Sequence, residues 1–337
     1  MKRKGFKGIL LLLSMLFALT GCSVSEATQH GMAVDTIQAE DVLLRVDFLN
    51  VGQADCALLS TNGHYMVIDG GNNGDADTIL SYLEGQGVEK LDAVVGTHPH
   101  EDHIGSLDAI INHFDVDAVY MPKIMHTSKT FEDVLDAVAN KGLKIKSPSP
   151  GDTIDFNGLE IEVLGPQREY KDFNNNSIVL KVNAGETAFL FTGDAEETAE
   201  KDILQAGYDL QAVKPKYAVI SVGVGNSYHH PEEEALQRLQ SIGAEIYRTD
   251  LQGNIVCTTD GKNIAFNCNS VSGTEVYADA AKNNTPAEEV VYIANKKSKK
   301  FHLESCASLP DEENRIYLED REEAISLGYT PCGTCKP

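Results

Sequence analysis

The chain has 337 residues, 42% of them hydrophobic and 23% charged, with a formal net charge of −23. That apolar content builds a core and excludes a wholly disordered chain, and the length suits about two domains of roughly 150 residues. The acidity excludes broad electrostatic attraction to nucleic acid, which needs Lys and Arg to displace counterions from phosphates. A polyanionic substrate would have to be held by metals or by local patches.

Lys2, Arg3, Lys4 and Lys7 precede an apolar run over 9–19. This reads as a secretory signal, too short for a membrane span. It ends Leu19-Thr20-Gly21-Cys22, which resembles the bacterial lipoprotein box, whose cysteine becomes the lipidated first residue. The expectation is a signal peptide over 1–21, lipidation at Cys22, and an extracytoplasmic protein held to the bacterial cell membrane. Removing the four basic residues takes the charge from −23 to −27. Residues 22–40 are small and polar and read as a tether.

Alternation of Leu44, Val46 and Phe48 predicts a strand over 43–49. Runs at 57–60 and 65–68 predict two more, joined by the hairpin signal Asn62-Gly63. The third runs into Asp69-Gly70-Gly71, where glycines let the backbone turn sharply. Residues 78–85 read as a helix. Next comes the apolar run 91–96, a buried strand, and then Thr97-His98-Pro99-His100-Glu101-Asp102-His103. Ile104, Leu107, Ile111 and Phe114 follow at helical spacing, so this cluster sits on a strand-to-helix turn. His98 and His100 lie in an irregular segment and can aim at one point; Asp102 and His103 open the helix and can aim at a second. Imidazole with carboxylate suits zinc, manganese or iron.

Further strands are predicted at 116–121, 152–156, 159–164, 178–182 and 188–192, with helices at 130–141 and 195–205. The strand at 188–192 ends in Gly193-Asp194. A strand at 217–222 enters a loop carrying His229 and His230, a helix follows at 232–241, and strands at 246–248, 255–259 and 264–266 close a strand-rich end. Cys56 lies in a strand-like run and reads as core; Cys257 and Cys268 flank a turn at Asp260-Gly261 without opposed register. Asp69, the 98–103 cluster, Asp194 and His229/His230 each leave a strand end. Separated in sequence, they can meet only at one edge of the sheets.

These residues resemble the metallo-β-lactamase superfamily, whose signature is His-x-His-x-Asp-His. Within it the likeness is to the C-terminal domain of ComEC, the competence DNA-uptake channel. It runs through the stretch from Asp47 to Asp55, Val67-Ile68-Asp69-Gly70-Gly71, Asn175-Asn176-Ser177, Phe191-Thr192-Gly193-Asp194, the segment from Lys214 to Val222, and Tyr247-Arg248-Thr249-Asp250. The resemblance covers 41–270. It implies an α/β fold, the αββα sandwich, with a two-metal site of zinc or manganese at one edge. His98 and His100 would hold the first metal, Asp102 and His103 the second. Asp194 would bridge them, and Asp69 would buttress the histidines or shuttle protons. Asp102 and Asp69 are thus the catalytic candidates.

Two departures matter. Where the superfamily supplies a further histidine, this chain has Asn174–Ser177. A ComEC-like strand ending Gly-His-His-Gly-Ser, expected before the strand at 217–222, is absent, together with a ligand of the second metal. His230, on the loop at 223–231, is the candidate substitute.

Residues 271–289 are small, polar and acidic, a linker. In 290–337, His302-x3-Cys306 and Cys332-x2-Cys335 are separated by 25 residues. Two such pairs fit a closed tetrahedral zinc site, which would stabilise a unit too small for an unaided core. The stretch resembles the metal-binding domain of the Ada DNA-repair protein, with histidine in place of its first cysteine. A disulfide involving Cys332 is the alternative. Lys296, Lys297, Lys299 and Lys300 form either a phosphate-holding patch or a solvated charge run.

Three functions follow: a surface phosphodiesterase or nuclease acting on DNA, a hydrolase of another ester class, or a non-catalytic envelope module that binds DNA or a protein partner. The Ada and ComEC likenesses favour the first. The net acidity and the absent strand favour the third.

Overall fold

The computed structural model describes residues 37–208, 215–226, 228, 230–277, 292–303, 306, 308–318, 324–325, 327–333 and 335. The expected signal peptide, Cys22 and His229 lie outside these residues, as do most of the expected tether and linker.

Three strands open the fold: β1 (Leu44–Phe48), β2 (Ala57–Thr61) and β3 (His64–Ile68). Asn62 and Gly63, with φ of 49° and 79°, turn the β2–β3 hairpin, the conformation that Asn-Gly favours. Then α1 (Ala76–Gly85) leads to β4 (Lys90–Leu91) and β5 (Ala93–Val95). Next α2 (Glu101–Ile104) and α3 (Leu107–His113) lead to β6 (Asp115–Val116) and β7 (Val119–Tyr120), and α4 (Lys129–Asn140) leads to β8 (Ile145–Lys146). The next stretch is β9 (Thr153–Phe156), β10 (Leu159–Gly165), β11 (Val179–Ala184), β12 (Thr187–Phe191) and α5 (Glu197–Gln205). The body closes with β13 (Tyr217–Ile220), α6 (Glu233–Ser241), β14 (Glu245–Arg248), α7 (Thr249–Gln252), β15 (Ile255–Thr259) and β16 (Ile264–Phe266).

One sheet runs β16-β15-β1-β2-β3-β5-β7-β8 and a second runs β12-β11-β10-β9. The inner faces pack together: Leu44, Leu59, Met66 and Val95 meet Phe156, Ile161, Leu180 and Val182. The outer face of the first sheet carries Leu58, Val67 and Val94 against Ile79, Ile104, Ile110 and Val134 of the helices. Neighbours such as Leu58 and Leu59 thus face opposite layers, which is why these strands read as unbroken apolar runs. Each such Leu or Ile contributes about 1.5–3 kcal/mol by leaving water. On the far side, Ile203 of α5 covers Leu164 and Val179. The expected αββα sandwich is therefore present. The runs at 91–96 and 116–121 each break into two short strands.

β13 and β14 pair in parallel as a separate ribbon. β12 and β13 are not hydrogen-bonded neighbours. A cavity of about 1180 Å³ lies between them, lined by Phe189, Leu190 and Phe191 on one side and Tyr217, Val219 and Ile220 on the other. Its apolar lining is only half-buried.

Residues 271–277 are part of this body. Val271 bridges to Ile246, Val276 packs on Leu236, and the Val276 carbonyl accepts from Arg248. The first residues of the expected linker, 271–277, thus pack on this body, and 278–289 lie outside the described residues. Among the described residues no helix is long and apolar enough to cross a membrane.

The C-terminal unit contains β17 (Tyr292–Asn295), β18 (Lys300–Leu303), β19 (Arg315–Leu318) and β20 (Thr330–Pro331), ordered β19-β17-β18-β20. Its core is small: Tyr292, Ala294, Phe301, Leu318, Ala324, Ile325 and Tyr329.

Candidate metal centres

The turn after β3 builds the base of the first centre. Asp69 has a φ of 59°, a left-handed conformation that Asp tolerates better than most residues. The turn is tied to α2 by the backbone: Gly70 N–H donates to the His103 carbonyl at 2.6 Å, and Gly105 N–H to the Gly71 carbonyl at 2.8 Å. Only glycine fits at 105, since a Cβ there would lie 2.2 Å from the Asn72 carbonyl carbon.

Asp69 is buried and accepts three hydrogen bonds, from Thr97 N–H (2.7 Å), Thr97 Oγ1 (2.8 Å) and His103 Nδ1 (2.9 Å). The Thr97 hydroxyl spends its proton on Asp69, so it accepts from His98 Nδ1 at 3.2 Å. Ser177 spends its proton on the Asn174 carbonyl and likewise accepts from His98 Nδ1, at 3.3 Å. Both imidazoles therefore carry a proton on Nδ1, and both Nε2 atoms are left to face a ligand.

Both Nε2 atoms face Asp194. His103 Nε2 lies 3.3 Å from Asp194 Oδ1, and His98 Nε2 lies 3.8 Å from Oδ2. His98, His103 and Asp194 offer donors that all lie within 4.8 Å of one another. Gly193 aims the carboxylate: its φ is 49°, and a Cβ there would sit 2.9 Å from the hydroxyl oxygens of Ser177 and Thr97. The donor set fits a divalent cation of the zinc or manganese type.

Electrostatics agree with this reading. Burial would raise the Asp194 carboxyl, but His103, His98 and His100 outweigh it and hold it far below the usual range. Burial opposes a proton on His103 as well, yet Asp194 and Asp69 drive that imidazole well above its ordinary value. A cation on Nε2 would take the place of that proton. Burial keeps His98 well below its ordinary value.

Of the other expected ligands, His100 and Asp102 lie around this group. His100 stands beside His98, with Nδ1 at 3.1 Å from His98 Nε2. Asp102 is not among the donors grouped with His98 or His103. Burial raises its carboxyl, against His103. His230 is not brought to the cluster. It is exposed, its ring stacks on Tyr228 at 6.2 Å, and its backbone N–H donates to Asn226. The loop after β13 reaches the site through Ser221 instead, which lines one cavity with Asp55 and Asp194.

Asp55 is a residue to which the sequence pattern assigns no role. Its backbone N–H donates to the Asp102 carbonyl at 3.1 Å, and its carboxylate lies 3.8 Å from His103 Nδ1. Burial raises that carboxyl to about 6, against the pull of His103. Asp55, Asp69 and His103 also form a donor group, but His103 Nδ1 is committed to Asp69, so Asp55 acts behind the ligands rather than among them. The stretch Asp47–Asp55 is the one sequence signal for it, and its two ends differ. Asp47 is a structural residue held by Arg45 and the Tyr82 hydroxyl. His126, which no motif marks, reaches the rim. Its ring lies 6.3 Å from His100 and 4.7 Å from Phe173.

The C-terminal unit carries the second centre. Donor atoms of His302, Cys306, Cys332 and Cys335 all lie within 4.8 Å of one another, and all three thiols are free. No disulfide involves Cys332. Burial raises the Cys335 thiol to about 11, and its bonds to Cys306 and Cys332 add to this. Three thiols in contact suit a cation that stabilises thiolates. Lys296, Lys297, Lys299 and Lys300 are exposed.

Residues 49–244, over half of the chain, match the family model described as metallo-beta-lactamase superfamily. The chain belongs to this superfamily. Residues 275–337 match the metal binding domain of Ada, so the superfamily domain is followed by an Ada-like zinc-binding domain. ComE operon protein 3 of Bacillus subtilis is 28% identical over 250 residues, covering 62% of this chain and 32% of that protein. Competence protein ComA of Neisseria gonorrhoeae is 28% identical over 228 residues, covering 60% and 30%. Hydroxyacylglutathione hydrolase of Aeromonas hydrophila is 32% identical over 107 residues, covering 32% and 35%. The chain thus spans about a third of the length of each relative. Superfamily membership makes it a metal-dependent hydrolase fold with competence-protein homologues.

Proposed function

We propose that the chain is a lipid-anchored, extracytoplasmic phosphodiesterase that cleaves DNA with two divalent cations, zinc or manganese. The observation that carries this reading is the convergence of His98 Nε2, His103 Nε2 and Asp194 while both Nδ1 edges stay fixed. The competence-protein relatives and the Ada-like domain support DNA as the substrate. The leader and Cys22 support the anchor.

Bound divalent cations would supply a nucleophile at neutral pH and neutralise charge on phosphoryl oxygens. The chain's own residues would do the rest. His98, His103 and Asp194 would hold the first cation. His100, beside His98, and Asp102 would serve the second. Asp69 keeps both Nδ1 protons in place, and Gly193 sets the direction of Asp194.

The test is cleavage of single- and double-stranded DNA by the fragment from Ser23 with manganese or zinc, against the double variant His100→Ala with Asp102→Ala. Metal-dependent cleavage lost in the variant supports the proposal. Equal cleavage by both proteins ends the site assignment. A second reading, a non-catalytic DNA- or partner-binding module, is favoured by the open groove between β12 and β13; DNA retention without cleavage would select it. Hydrolysis of a thioester but not DNA would select another ester class, as the Aeromonas relative suggests.

A further inference from the structure

His126 lies on the loop between β7 and α4, outside the signature motif. Its Nδ1 edge is fully engaged by Ser128. The Ser128 backbone N–H donates to Nδ1 at 3.2 Å, and the Ser128 hydroxyl lies 2.8 Å away. That hydroxyl oxygen also accepts the first-turn N–H of Phe131 at 3.2 Å, capping α4. A backbone N–H can only donate, so Nδ1 is an acceptor, and the neutral ring carries its proton on Nε2.

This is the reverse of the tautomer at His98 and His103. Those rings turn Nε2 to Asp194, whereas on His126 it is Nε2 that carries the proton. The ring is held edge-on by Phe173 at 4.7 Å and stands 6.3 Å from the His100 ring. Its Nε2 has no protein partner among the described residues. A neutral N–H fixed at the rim of a cation cluster suits the oxygen of an anion that the cations hold.

We propose that His126 is a substrate-binding catalytic residue, its Nε2–H donating to a non-bridging oxygen of a phosphoryl group held at the His98–His103–Asp194 centre. The assignment deepens the phosphodiesterase reading and rests on it for the identity of the anion. No proton is transferred: the imidazole stays neutral and the hydrogen bond strengthens as charge grows on the oxygen.

The experiment is calorimetric titration of inorganic phosphate into the zinc-loaded full chain in detergent, with zinc content measured in each protein. His126→Ala is expected to weaken phosphate binding about tenfold, the size of one charge-assisted hydrogen bond, with zinc content unchanged. His126→Gln, which keeps an N–H donor, should recover most of that loss. His113→Ala, an exposed histidine paired with Glu84, should bind like the parent. Equal binding by His126→Ala, absence of phosphate binding by the parent, or loss of zinc in His126→Ala would each overturn the assignment. If phosphate binding depends on His126 but the parent leaves DNA intact, the nuclease reading fails and the donor role stands.

Discussion

Asp69 Oδ2 accepts a hydrogen bond from His103 Nδ1 at 2.9 Å, and both side chains are buried. Through Thr97 the same carboxylate also fixes His98. One residue behind the cluster thus decides which nitrogen of two imidazoles is open to a cation.

Asp69→Asn keeps the shape and tolerates the left-handed backbone but places an amide where a carboxylate accepted. Zinc affinity is expected to fall roughly 10–100-fold, and the melting temperature should fall too, because three buried donors lose a carboxylate acceptor. Competition with a chromophoric chelator measures it; unchanged affinity would remove Asp69 from the centre.

Gly193→Ala is expected to cost roughly 1–3 kcal/mol. The new Cβ meets the Ser177 and Thr97 hydroxyls at 2.9 Å in a backbone with φ of 49°. Denaturant unfolding reads the loss, and zinc affinity should drop with it because Asp194 is displaced. A variant as stable as the parent would show that this turn relaxes freely.

The chelated protein should melt highest in mild acid. Asp194 titrates below its ordinary 3.8 in the folded chain, so its contribution is present above that pH and is lost as pH falls through the folded value. His103 titrates above its ordinary 6.5, so its contribution is complete below 6.5 and is lost as pH rises through the folded value. Zinc reverses the alkaline trend, because binding expels the His103 proton. Thermal scans over a pH series, with and without zinc, check both signs.

Cys332→Ser should remove one zinc per chain and unfold the C-terminal unit, whose core holds only a handful of side chains. The superfamily domain should keep its own transition. Metal analysis with calorimetry separates the two; retention of that zinc would exclude Cys332 as a ligand.

Arg248 and Asp250 form a buried ion pair at 2.6 Å under the Val276 carbonyl. Arg248→Met strands the carboxylate and should destabilise the β14 ribbon by about 3–5 kcal/mol. Chemical denaturation would show it, and a loss near zero would mean that water replaces the guanidinium.

Much of the fold is legible in the sequence because the chain repeats its instructions locally. Leu44-x-Val46 and the Asn62-Gly63 turn specify strand and hairpin without reference to anything distant. The short strands at Lys90–Leu91 and Asp115–Val116 merge with their neighbours in the sequence pattern, since an apolar run does not mark where a backbone kinks. His98, His103 and Asp194 can be named from type and spacing, but their grouping cannot. Sequence order pairs His98 with His100, and the turn of α2 and the Gly193 bend bring His103 and Asp194 to His98 as well.

The sequence by itself determined the residue chemistry: imidazoles and carboxylates at strand ends, a four-donor zinc set, and strand and hairpin patterns, with the sandwich implied by the superfamily resemblance. Tertiary structure alone decided which nitrogens are open, that Asp55 stands behind His103, that His230 points elsewhere, and that β12 and β13 leave a groove. Residue type and periodicity are local properties. A tautomer or a shared coordination point depends on atoms brought together from segments a hundred residues apart, and spacing carries no record of that meeting.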